Sequence, residues 1–239
     1  MSQKGPTCSA PLNKALGVYM GITRRKFIKF IGVALAGLTI DPTKAVAVNH
    51  NYYINRKLGL GFIKPDSWYF EKFKDFGHLK EGLILSNFDE ELAEELKEEV
   101  FDDPLAIISK YPASIKVFSP SVVVHLEQYG DMREYTDIDE HDDLLDMIQV
   151  VLNGFEILYK DFELLTPPSQ MSISECKTWK LVWKYLFEHE DIDPTMVNVV
   201  TYFIFSDNGV YSIYLQDSPT TGENARIEFV GFMSSLHIV

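Results

Sequence analysis

Residues 174–216 constrain the fold more than any other part of the chain. In SECKTWKLVWKYLFEHE (174–190), Trp179, Leu181, Trp183, Tyr185 and Phe187 take alternate positions, with Lys180, Val182, Lys184, Leu186 and Glu188 between them. Side chains repeat every two residues in an extended chain, so this spacing predicts a long, half-buried strand. MVNVVTYFIFSDNGVYSIYLQ (196–216) then places two β-branched and aromatic runs on either side of Asp207, Asn208 and Gly209. Asn-Gly between such runs is a strong hairpin signal. Three antiparallel strands are expected from this stretch.

The rest of the chain supplies shorter elements. In KLGLGFIKPDSWYF (57–70), Leu58, Leu60 and Phe62 alternate with Gly59, Gly61 and Ile63 until Pro65 opens a turn, which predicts a strand, a turn and a second strand at 68–70. EGLILS (81–86), residues 105–109 and SVVVHLE (121–127) read as further strands. Between them, Leu92, Leu96 and Val100 recur at spacings of four in an acidic stretch, predicting a surface helix over 87–104 capped by Asn87 or Asp89. From Asp142 the apolar residues Leu144, Leu145, Ile148, Val151, Leu152 and Phe155 form one stripe, the strongest helical pattern in the chain. A helix over 223–235 and a closing strand over 236–239 complete the order. The expected class is α/β in the α+β sense: an antiparallel β-sheet covered by helices, an α/β/α sandwich.

The N-terminal 47 residues have a different character. Arg24 and Arg25 precede Phe27 and Lys29, an uncharged run follows from Phe30 to Ile40, and Ala45-Val46-Ala47 closes the segment as a small-x-small site. Basic region, apolar region and cleavage motif together are the layout of a signal peptide. The apolar run is shorter than the roughly 20 residues needed to span a bilayer, so no stable membrane anchor is expected after cleavage. T-R-R-x-F-x-K resembles the twin-arginine export signal, carried by Arg24, Arg25 and Phe27, with cleavage after Ala47. That resemblance implies transient contact with the twin-arginine machinery and delivery to the periplasm, or to the thylakoid lumen in a photosynthetic source. The domain expectation is a signal peptide over 1–47 and one domain over 48–239.

Charge narrows the partners. The 239-residue chain carries a net charge of −13, and loss of the leader's seven Lys/Arg and one Asp takes this to about −19. A strongly anionic surface repels phosphate backbones and anionic lipids, which disfavours nucleic acid and favours a protein partner with a basic surface or a divalent cation. Cys176 is the one cysteine beyond the leader, so an intramolecular disulfide scaffold is excluded there.

The opening KLGLGFIKPDSW, through Gly61, Phe62, Pro65 and Trp68, resembles the start of PsbP-like proteins. The order of hairpin, middle helix, long strand, the VYSIYL hairpin strand at 210–215 and the terminal helix running into FMSSLHIV (232–239) fits the same family, over most of 51–239. This resemblance implies the sandwich fold of the family and a soluble, non-catalytic role in binding or assembly, as in the extrinsic lumenal subunits of photosystem II.

Candidate chemistry is sparse. The sequence holds no G-x-S-x-G, H-E-x-x-H or C-x-x-C motif and no phosphate loop, so neither an enzyme nor a resident cofactor is expected. Asp137, Asp139, His141 and Asp142 could hold a divalent cation, since hard cations favour clustered carboxylates and a histidine adds a borderline ligand. The same acids also suit a helix N-terminus, where the macrodipole favours negative charge. EHEDID (188–193) is a second acidic loop that could converge on that metal, giving a carrier or sensor as the alternative function. Cys176 could act as a nucleophile with His125 or His189 as its base, although a cysteine at a strand start more often is a small packed side chain. Trp179, Trp183, Tyr185, Tyr202, Phe203 and Phe205 could line a ligand groove, although period-two aromatics suit a sheet core better.

Overall fold

The computed structural model describes residues 46–49, 51–71, 82–93, 104–112, 115–128, 141–219 and 222–239. The chain divides into units Met1–Lys44 and Ala45–Val239, and the fold below belongs to the second.

The three strands expected at 174–216 are the backbone of the molecule. β8 (Cys176–His189), β9 (Ile192–Ser206) and β10 (Gly209–Asp217) form a continuous antiparallel meander. They extend through β7 (Glu163–Ile173) on one side, and through β6 (Ser121–Glu127), β5 (Ala106–Ser109) and β4 (Tyr69–Phe70) on the other. The resulting seven-stranded sheet has the order β4-β5-β6-β10-β9-β8-β7. The β9–β10 turn places Gly209 at φ +138°, where a Cβ would stand 2.2 Å from the Glu127 carbonyl oxygen. Only glycine suits that position.

Alternation gives this sheet two apolar faces. On one, Val122, Val124, Ile204, Tyr211 and Ile213 pack against α2 (Gly222–Ser235) and a second, four-stranded antiparallel sheet in the order β1-β2-β3-β11. That sheet comprises β1 (Val46–Asn49), β2 (Tyr52–Asn55), β3 (Leu60–Ile63) and β11 (His237–Ile238). Phe62 joins the layers, stacking on Tyr53 at 4.7 Å and meeting Phe232 of α2 at 5.1 Å. On the other face, Met147, Ile148 and Leu152 of α1 (His141–Leu158) cover Trp179, Leu181, Trp183 and Tyr185 of β8 and Val197, Val199 and Phe203 of β9. The chain is thus α+β, with antiparallel sheets covered by helices, as expected. The small second sheet is an addition to that expectation.

Three details depart from the sequence reading. Residues 81–86 do not form a full strand: among them only Leu83 makes a β-bridge, with His189. Beyond its last pairing with β7 at Lys184, the edge of β8 is met instead by the Lys160 carbonyl, Gly82 and Ile84, through Leu186 N to Lys160 O, Glu190 N to Gly82 O and Ile84 N to Glu188 O. Second, β7 was not expected. Third, the expected cleavage after Ala47 falls inside edge strand β1, whose Val46 and Ala47 pair with Asn55 and Ile54. The helix expected from residue 87 begins at Glu90, where Asp89 caps it by accepting from Leu92 N at 3.0 Å. Its continuation lies outside the described residues. No helix among the described residues is long and apolar enough to cross a membrane.

Candidate binding cleft

Helix α1 covers β8 and β9 and its core reaches β10 at Val210 and Tyr214; beyond it, the same face of β5, β6 and the Gln216 end of β10 forms the floor of a cleft of about 470 Å³. The register sets its rows. Ile107, Val123 and Tyr214 lie side by side across the three strands, and Ser109, Ser121 and Gln216 form the next row. Alternation along β6 then presents His125 and Glu127 beyond Val123, with the His125 ring edge-on to Tyr214 at 5.9 Å.

The walls come from distant parts of the chain. Leu83 and Leu85 supply one, Ile115 and Phe118 a second, and Tyr159, Tyr185 and Phe187 the junction with the α1 core. Gly82 lets the first wall lie against β8, because a Cβ there would meet His189 Nε2 at 2.4 Å. Burial pushes the Tyr159 hydroxyl up to about 12 and also raises Tyr185 and Tyr214, so all three stay neutral hydrogen-bonding groups at ordinary pH. At the back, Ser109 Oγ donates to the Glu71 carboxylate.

Polar ties hold the rim closed at one end. Ser86 Oγ donates to Glu188 Oε2 at 2.6 Å, Lys160 Nζ to Glu188 Oε1 at 3.0 Å, and Asn87 Nδ2 to the Ile157 carbonyl at 3.3 Å. The Ser86 and Lys160 bonds hold the Glu188 carboxyl below its ordinary value. Lys116 is paired with Asp191, which lowers the Asp191 carboxyl.

The sequence candidates fall in separate places. His125 lines the cleft, whereas Cys176 packs with the α2 core on the opposite face of the sheet. His189 stands at the far end of β8, 13 residues from Cys176 and so roughly 40 Å away along an extended chain. Burial, then Asp207 and Glu175, raise the Cys176 thiol, which disfavours the thiolate. No nucleophile–base pair is assembled from these residues. In the 188–193 loop, Glu188 and Asp191 are held by lysines, and His189 Nδ1 accepts from Asp191 N at 3.0 Å. Among the described residues no three His, Cys, Asp or Glu side chains converge as a metal site. Asp137 and Asp139 lie outside the described residues, and His141 and Asp142 are described only as the first backbone positions of α1. Arg24, Arg25, Phe27 and Ala45 also lie outside them.

The aromatic row divides as period two requires. Trp179, Trp183, Tyr185 and Phe203 are buried beneath α1, with Phe155 against Trp183 at 4.8 Å. Tyr202 faces the other way, beneath Lys180 Nζ at 5.9 Å. The cleft residues Ile107, Ser121 and Tyr214 carried no sequence signal as a site, because their proximity depends on the register of three strands.

No family model matches the sequence, and no curated protein matches it. Among solved structures, the chain is similar to a putative regulator of unknown function, PA94 from Pseudomonas aeruginosa, at 16% identity, covering 56% of this chain and 84% of that one with a TM-score of 0.39. It is similar to LpqN of Mycobacterium tuberculosis, involved in cell envelope biogenesis, at 13% identity over 75% and 83% of the two chains, TM-score 0.44. Similarity to the cyanobacterial PsbP of Synechocystis sp. PCC 6803 extends over 85% of this chain and 98% of that one, at 11% identity and a TM-score of 0.46. All three scores lie below 0.5, and no functional assignment follows from them.

Proposed function

We propose that this chain is an exported, non-catalytic binding or assembly protein of the PsbP-like type that docks to a basic protein partner through an acidic surface. The observation that carries this reading is the joining of acidic segments remote in sequence at one end of the fold. The Ser86–Glu188, Lys160–Glu188 and Asn87–Ile157 bonds bring the start of the 89–91 acidic segment, the end of α1 with Glu156, and the 188–193 turn to a common rim. Asp89, Glu90, Glu91, Glu156, Glu190 and Asp193 are exposed there. Such a rim steers a basic surface at long range, and screening by salt weakens the attraction. The twin-arginine-like leader supports an extracytoplasmic site of action.

Capture of the partner from the exported fraction of the native host tests the reading. Retention at low ionic strength with release by salt supports it; a partner held equally at high salt contradicts it.

A further inference from the structure

We infer that the β5–β6–β10 cleft is the apolar centre of the docking surface, and that it receives an uncharged aromatic side chain of the partner, presented on a segment with basic residues on either side. The inference rests on the acidic-rim reading above and adds to it the contact that anchors the partner once charge has brought it close. Cleft and rim are one continuous surface. Ser86, Asn87, Lys160 and Glu188 line the cleft and also make the bonds that hold the rim. The exposed acids adjoin the lining: Glu190 stands between His189 and Asp191, Asp193 follows Ile192, and Asp89 and Glu156 lie close in sequence to Asn87 and Leu158.

Apolar surface also spreads out of the cleft. Ile84 on one wall and Ile115 and Val117 on another line it while remaining 45%, 46% and 48% exposed. A small-molecule site buries its aliphatic lining around the ligand. An apolar centre that extends to an exposed lip and is ringed by polar groups has instead the anatomy of a protein interface.

The interior selects the anchor. The floor row of Ile107, Val123 and Tyr214 is an apolar surface set by strand register, and Phe118 and Phe187, edge to face at 5.3 Å, also line the cleft. A volume of about 470 Å³ holds a tryptophan or phenylalanine side chain, which buries about 150–250 Å² of surface in such a place. The floor row offers no charged group to pair with a buried ion, so the anchor is uncharged. The partner's lysines or arginines belong outside, against Glu190, Asp193 and their neighbours on the rim.

Three capped pentapeptides test the site on the purified full chain: Lys-Lys-Trp-Lys-Lys, Lys-Lys-Ala-Lys-Lys and Gly-Gly-Trp-Gly-Gly. The first is expected to bind at least about tenfold more tightly than the second, with amide NMR shifts centred on Ile107, Val123 and Gln216. The third is expected to shift the same amides at lower affinity. Joint Ile115→Ser and Val117→Ser replacement, at two exposed positions of the lip, is expected to weaken the first peptide about fivefold and to leave the second within about twofold. Equal affinity for the first two peptides, or shifts centred elsewhere, overturns the anchor and leaves the rim reading standing. Equal affinity for the two tryptophan peptides, with shifts in the cleft, contradicts the rim reading and the basic flanks proposed for the partner. Free 3-methylindole bound as tightly as the first peptide would assign the cleft to a small molecule, and the same shifts on concentrating the protein alone would assign it to a second copy. Either result overturns the proposal. The NMR readout uses the unaltered protein and is independent of whether the variant folds.

Discussion

Trp183 Nε1 donates a 2.9 Å hydrogen bond to Thr201 Oγ1 across the β8–β9 pair, and both residues are essentially sealed from solvent, at 1% and 0% exposure. One of the two tryptophans of the α1 core is thereby fixed by a polar contact. Thr201→Val keeps the shape and removes the acceptor, leaving a buried indole N–H unpaired, a loss that costs about 1–3 kcal/mol. Urea denaturation should show this loss for Thr201→Val and a smaller one for Thr201→Ser. Equal midpoints for Thr201→Val and the unaltered protein would contradict the assignment.

Gly209 links the hairpin to β6. At φ +138° its missing Cβ avoids the Glu127 carbonyl, so Gly209→Ala introduces both backbone strain and a steric clash, together costing at least about 1–3 kcal/mol. A fall in Tm of several degrees is expected by calorimetry. An unchanged Tm would show that the turn relaxes freely.

Stability should depend on pH through Glu188. Its carboxyl lies below the ordinary value of 4.5 because it accepts from Ser86 and Lys160. A depressed carboxyl contributes stability that is fully present above its unfolded pKa and is lost as pH falls through the lower, folded value. Glu188→Gln should therefore be less stable than the unaltered protein above about pH 5.5, and the gap should shrink as pH falls below 4.5. A gap constant down to pH 3 would remove Glu188 as the titrating group.

Export gives a separate expectation. Replacement of Arg24 and Arg25 by lysine should retain the protein in the cytoplasm, and N-terminal sequencing of exported material should begin at Val48. Cleavage there removes two of the four β1 positions that pair with β2, namely Val46 and Ala47. β1 is an edge strand, so the remaining three strands of that sheet keep their pairing. Exported material beginning at Met1 would contradict the leader.

How much the sequence disclosed follows from the range of the signals. β8, β9 and α1 were legible because their apolar periods run for a dozen residues or more, and the nine-residue β10 because the Asn-Gly turn ties it to β9. β7 was hidden: ELLTPPSQMSI is an edge strand exposed along most of its length, with a register break on each side of Thr166 and two prolines that cannot donate to the ladder. EGLILS has the composition of a strand, yet Gly82 and Ile84 reach β8 only over the short stretch that β7 leaves open. The cleft was illegible because its floor needs the register of three strands and its walls come from segments more than 70 residues apart, such as Leu83 and Tyr159. His125 stands out in the sequence only as a candidate base for Cys176, and nothing local in SVVVHLE shows that Ser121, Val123 and His125 look into a cleft while Val122 and Val124 look into the core.

The most direct test of the docking account is cross-linking in the native host with the unaltered protein beside a folded Glu90→Lys, Glu91→Lys, Asp193→Lys variant. The account predicts a defined cross-linked partner with the unaltered protein and its loss, or at least a tenfold reduction, with the variant, as removal of close charge pairing requires. An undiminished adduct in the charge-reversed protein would contradict it.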